Sequence, residues 1–288
     1  MTAVRSAARP LRAVADGGGA RRARPEADAW RPPELDQLVR ALNLWRVGTG
    51  HFLAMAADPD WPSFPGPQLV AALVTAAERS VPGSRVRLVS WSPGAPPSAR
   101  RSVRVSVDAL SRGPSGDVTA ELTVDQRDSA RGPRRRHGHA VVLLTPGGGS
   151  TGAVVGRGSV GTGETVAGGL VPAELPALLA AGDLDRRLPM DPTTGRALLA
   201  YLGAALTAPP GCSPYPCGPS GARATVLAST VAFLADAGPG VGLALGRPGV
   251  AAGAGEAPSE GHAHAMTEFR TPSGVPVVQT SQALVLAP

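Results

Sequence analysis

"SFPGPQLVAALVTAAERSVPGSRVRLVSW" (residues 63–91) changes its hydrophobic period partway along, and that change decides the fold. In its first part Leu69, Val70, Leu73, Ala76 and Ala77 form one apolar face at helical spacing, broad enough for a buried helix. Pro67 lies near the first turn, where a missing N–H costs nothing, and Gly83 ends the helix. From Arg85 onward the period is two. "RVRLVSW" (85–91) reads as a strand, and "RSVRVSVDAL" sets Val103, Val105, Val107 and Ala109 against Arg104, Ser106 and Asp108. "DVTAELTVDQ" turns Val118, Ala120, Leu122 and Val124 inward, and "HGHAVVLLTP" (137–146) follows as another strand. The stretch predicts a helix followed by about four antiparallel strands joined by Gly/Pro turns.

Upstream, Leu35, Leu38, Val39, Leu42 and Trp45 keep helical spacing after Pro32-Pro33, so a short amphipathic helix is expected there. Residues 1–31 read as a disordered tail. They are rich in Ala and Arg and poor in acids, as transit peptides are, and lack the apolar segment of a secretory signal. Downstream, residues 147–170 are Gly-rich and read as a linker, with "VPAELPALLAAGDL" as a short helix. The pattern then recurs. "DPTTGRALLAYLGAALTAP" predicts a helix burying Leu198, Leu199, Leu202 and Leu206, and "GARATVLASTVAFLAD", "VGLALGRP", "GHAHAMTEFR" and "VPVVQTSQALVL" supply four more strands. The chain thus divides into a tail (1–31), one helix-plus-sheet unit (32–146), a linker with a short helix (147–185) and a second such unit (186–288).

Composition excludes several function classes. All 28 lysine-plus-arginine positions are arginine, there is no isoleucine, and Asn43 is the only asparagine. That bias is the mark of a GC-rich coding sequence, so the net charge of +6 is weak evidence for a nucleic-acid partner. Aromatic residues are 3%, too few for base-stacking platforms, and nucleic-acid binding is not expected. No apolar stretch reaches the roughly 20 residues of a membrane helix. The two cysteines, Cys212 and Cys217, make no disulfide framework. A cytoplasmic protein is expected, with no cofactor and no metal site, and with self-association left open.

The residues also carry a family resemblance. Phe64, Gly66 and Gln68 at the helix start, Val81-Pro82, Pro93-Gly94, and Val105, Val107, Leu110, Arg112 and Gly113 on a strand resemble the first half of the acyl-CoA thioesterase II (TesB-like) family. "FRTPSGVPVVQTSQALVL" resembles that family's closing strand, which ends in a catalytic glutamine. The resemblance implies an α+β double hotdog: two antiparallel sheets, each wrapped round a helix, forming a pseudo-dimer. It also implies a thioesterase-like protein whose partner is an acyl-CoA or acyl-carrier thioester, with Gln282 as the catalytic glutamine.

In that family an Asp and a Ser or Thr join the glutamine to hold the attacking water. By chain order the Asp should fall in "VLAST", where Ala228, Ser229 and Thr230 stand instead, and the hydroxyl near Arg247. Ser229 or Thr230 could position a water, but neither is a base near neutral pH without help. Asp236 is the nearest carboxylate in sequence. Hydrolysis is therefore expected to be impaired unless a base comes from elsewhere. Gly66 and Gln68 are candidates for substrate binding, because a helix start carries partial positive charge that suits an oxyanion or phosphate. The arginines at 131–136 read as a hairpin loop, solvated or attracting CoA phosphates. His137 with His139, and His262 with His264, lie two apart on strands and read as solvated rather than as metal pairs. Two alternatives stay open: a non-catalytic acyl- or partner-binding hotdog protein, and a hotdog dehydratase or hydratase, for which His51 beside a carboxylate would be needed.

Overall fold

A fifteen-residue helix, α2 (Gly66–Ser80), and a second of the same length, α5 (Pro192–Leu206), form the two axes of the molecule. The computed structural model describes residues 33–61, 63–129, 131–147, 170–172, 174–188, 190–207, 223–235, 243–245, 249–251 and 261–287. The expected tail, most of the Gly-rich linker, both cysteines, Asp236 and Arg247 lie outside the described residues.

In the first half α1 (Leu35–Leu42) precedes a hairpin, β1 (Trp45–Gly48) and β2 (His51–Ala54), and then α2. Strands β3 (Ser84–Pro93), β4 (Val103–Arg112), β5 (Val118–Arg127) and β6 (Arg134–Pro146) follow. Leu35, Leu38 and Leu42 are buried as the spacing predicts, but the helix stops before Trp45, which begins β1 and is exposed. The residues at 134–136 belong to β6 rather than to a loop. Helix α2 is buried from Pro67 through Glu78, so its apolar face extends almost all round, as a helix inside a curled sheet requires.

After two short helices, α3 (Leu175–Ala181) and α4 (Leu184–Arg187), the second half runs α5, β7 (Arg223–Phe233), β8 (Ala244–Leu245), β9 (Gly249–Ala251), β10 (Gly261–Arg270) and β11 (Pro276–Ala287). Helix α5 is capped by Asp191, whose carboxylate accepts from the Thr194 N–H at 3.0 Å and from its hydroxyl at 2.7 Å. The Asp191 carboxyl is held below its usual range. Burial pushes it up, but hydrogen bonds from Thr194 and Thr193 and the charge of Arg79 outweigh burial.

The strands form one antiparallel sheet in the order β1-β2-β4-β5-β6-β3-β7-β11-β10-β8, with β9 also on β10. Each half curls round its own helix, and the halves join edge to edge where Leu88–Trp91 of β3 pairs with Ser229–Ala232 of β7. This is the double hotdog architecture, and the hydrogen-bonded seam is the feature that no strand pattern announces. The apolar core is continuous through both halves.

The helices are pinned across the seam. Glu78 near the end of α2 takes Arg196 of α5 bidentately, Oε1 to Nε at 2.5 Å and Oε2 to Nη2 at 2.6 Å. The Thr193 hydroxyl and the Val86 N–H donate to the same carboxylate at 2.7 and 3.0 Å. The pair is buried and every carboxylate oxygen is occupied, which is what a buried charge needs.

Candidate functional site

The start of α2, the end of β3 and the strands β7 and β11 enclose a cleft of about 340 Å³ at the seam. Its walls are mostly apolar: Phe64, Leu69, Val70, Trp91, Val226 and the proline-rich turn at 93–97. Among the described lining residues three polar side chains are buried, Ser229, Gln282 and His137.

Gln282 and Ser229 face each other across β11 and β7 as register partners. Directly opposed residues share a face, so both side chains enter the cleft together. The Gln282 Nε2 donates to the Ala204 carbonyl at 3.0 Å. A carbonyl only accepts, so this bond orients the amide. Its Oε1 and the Ser229 Oγ are buried and have no partner among the described residues. An unsatisfied buried polar group costs about 1–3 kcal/mol, so atoms left this way in a cleft mark where a ligand group would be held. The close fit of α5 beneath β11 sets the glutamine's depth: a Cβ on Gly203 would lie 2.2 Å from the Thr280 Oγ1.

Thr230 lies one residue on from Ser229 along β7. It pairs with Ser281 of β11 and Ser90 of β3 and faces away from the cleft. The alternation between the two positions is regular, because the bulge in β7 falls earlier, between the pairs Ala228–Ala283 and Val226–Leu284. Of the two hydroxyls predicted near the site, the structure brings only Ser229 to Gln282.

Gly66 and Pro67 line the cleft, and Gln68 does not. Gln68 is 1% exposed and clamps the preceding chain. Its Nε2 donates to the Met55 carbonyl at 2.6 Å and its Oε1 accepts from the Ala57 N–H at 3.1 Å. With its amide spent on backbone, Gln68 anchors the helix start rather than touching a ligand.

His137 corrects the expectation of a solvated pair. It is 5% exposed, while His139 is about 4.0 Å from Glu121 and half exposed. The cause is a β-bulge. Gly138 pairs with Val124 and Arg136 with Asp125, so His137 is the extra residue on β6 and its ring turns inward. Its Nδ1 lies 2.6 Å from the Ala95 carbonyl, and its Nε2 is buried with no partner among the described residues. Next to it, Gly138 leaves room for Trp91: a Cβ there would lie 2.0 Å from the indole Cη2. The sequence signal for this site was the single Gly between two histidines, which marks a close approach in a strand.

His51 is elsewhere. It lines an open basin of about 740 Å³ on the outer face, with Arg101, Arg104, Arg127 and Arg134, and its Nδ1 is 3.2 Å from the Ser106 Oγ. Arg104 and Arg134 there both bind Asp125. The juxtaposition of His51 with a carboxylate in the seam cleft does not occur. His264 is exposed. No cluster of three or more His, Cys, Asp or Glu side chains able to hold a metal exists among the described residues. Among them, too, no helix is long and apolar enough to cross a membrane.

The architecture and the seam cleft define a double hotdog protein. Its fold is similar to that of a TesB protein of Mycobacterium avium subspecies paratuberculosis, with a TM-score of 0.62 and 18% identity over 88% of this chain and 100% of that one. The acyl-CoA thioesterase II TesB2 of Mycobacterium marinum gives 0.57 and 15%, covering 86% of this chain and 97% of its own. A structure from Thermobifida fusca gives 0.57 and 16%, covering 87% and 97%. No family model and no curated protein matches the sequence.

Proposed function

We propose that the protein is thioesterase-like and acts on an acyl-CoA or acyl-carrier thioester held in the seam cleft. The observation that carries this is the opposed pair Gln282 and Ser229, each with a buried, uncommitted polar atom in an otherwise apolar cleft. Apolar walls suit an acyl chain, and a small number of placed polar groups suit its reacting end. The Gln282 amide has a second N–H beyond the one given to Ala204, and the Ser229 hydroxyl can also donate. The free Gln282 Oε1 accepts and so suits a water's hydrogen, while the Ser229 hydroxyl and the second Gln282 N–H suit a thioester carbonyl that gains negative charge, and the start of α2 at Gly66 adds partial positive charge. The similarity in fold to TesB-type thioesterases supports the substrate class, and a cytoplasmic setting goes with it.

A second reading, a non-catalytic acyl-binding hotdog protein, is favoured by one fact: no Asp or Glu is among the described lining residues. The experiment that separates them measures free thiol release from a panel of acyl-CoAs. The thioesterase-like reading expects release by the wild type and its loss in Gln282→Ala. Tight binding of acyl-CoA with no release supports the binding reading, and release that survives Gln282→Ala removes the glutamine from the site.

A further inference from the structure

Gln282 and Ser229 account for the carbonyl side of a thioester and leave the proton of an attacking water without an acceptor. We propose that His137 Nε2 is that acceptor, the general base for hydrolysis in the seam cleft; the inference rests on the thioesterase-like reading above.

Three observations carry it. The ring is 5% exposed and lines the same cleft as Gln282 and Ser229. Its tautomer follows from its partner. The Ala95 carbonyl, 2.6 Å from Nδ1, can only accept, so Nδ1 carries the hydrogen and Nε2 of the neutral ring keeps its lone pair. That Nε2 is buried with no partner among the described residues. A ring anchored through Nδ1–H with a free basic nitrogen beside the reacting group is the arrangement general-base catalysis requires.

His137 is also the one titratable side chain among the described lining residues. The charged groups on packed elements are otherwise engaged or turned out: Asp125 of β5 is bound by Arg104 and Arg134, and Arg136 is exposed. In register, Ser229 and Ala140 flank Trp91 of β3, and His137 lies three residues further along β6, so the backbones bearing His137 and Ser229 stand roughly 14 Å apart, two strand spacings across and about 10 Å along. Both side chains line the one cleft, and a thioester and a water would lie between them.

Nε2 takes a proton from water as the water oxygen bonds to the carbonyl carbon, and the C=O π pair moves onto the carbonyl oxygen beside Gln282 and Ser229. The pair returns, the C–S bond breaks, and the proton on Nε2 passes to the departing thiolate. The products are a carboxylic acid and a free thiol, and the ring ends neutral.

The test measures thiol release from an acyl-CoA by the wild type, His137→Gln and His137→Ala. The expected result is a fall in kcat of about 100-fold or more with KM little changed, and partial recovery of His137→Ala by added imidazole, which a purely structural role would not produce. Release by His137→Gln within a few-fold of wild type overturns the base and leaves the thioesterase-like reading standing. No release by the wild type overturns that reading and the base with it. Should both variants unfold, ¹⁵N NMR of the wild-type imidazole decides: a proton on Nδ1 is expected, and a neutral ring protonated on Nε2 overturns the proposal.

Discussion

Arg196→Leu would strip the seam of its one cross-helix charge clamp among the described residues, and its cost can be worked from the geometry. The Glu78 side chain is 2% exposed and Arg196 16%. Removing one partner of a buried ion pair leaves the other charge without compensation, at about 3–5 kcal/mol. The Thr193 hydroxyl and the Val86 N–H would still serve the carboxylate, so the lower end, about 3 kcal/mol, is expected. For a chain of this size that is roughly 6–12 °C in Tm. Adding Glu78→Gln to Arg196→Leu removes the stranded charge while keeping an acceptor for the Val86 N–H, and should recover most of the loss. Denaturant unfolding with two probes measures all three variants. A cost for Arg196→Leu below about 1 kcal/mol, the range of exposed ion pairs, would refute the claim that this clamp is buried and holds the halves in register.

Gly138→Ala should displace Trp91 from the cleft wall, since the added methyl would meet the indole at 2.0 Å; a shifted tryptophan emission with weakened acyl-CoA binding is the expected result. Asp191→Ala should cost about 1 kcal/mol through loss of the α5 cap. Because the Asp191 carboxyl is held below its usual range in the folded protein, its stabilisation is present above the ordinary carboxylate pKa and is lost as pH falls through the folded value. The difference between wild type and Asp191→Ala in denaturant melts should therefore be full at neutral pH and shrink on acidification.

Long, uninterrupted patterns in the sequence were the legible ones. The α2 and α5 spans follow from apolar spacing backed by Pro67 and by the Asp191 cap. Gln282 follows from the likeness of the closing strand and Ser229 from chain order, within a "VLAST" that departs from the family's Asp, and the fold sets the two face to face. What was not legible had local causes. The β1–β2 hairpin strands are four residues each, too short for a period to register, which is why Trp45 read as helical. The bulge at His137 breaks the alternation that would otherwise put its ring on the same exposed face as His139, so period two misplaces it. Gln68 matched a functional pattern but spends its amide on backbone at Met55 and Ala57, a role that depends on where a distant loop returns. The β3–β7 seam joins strands far apart in the chain, and nothing local encodes that pairing.

The proposed function requires that an acyl thioester occupy the cleft between the two halves. Calorimetric titration with a non-hydrolysable acyl-CoA thioether, comparing the wild type with Val226→Trp, tests it most directly, because an indole at this half-buried wall position would fill the cleft without touching the Glu78–Arg196 clamp. Saturable binding by the wild type and its loss in the folded variant is the predicted result; equal binding by both would contradict it.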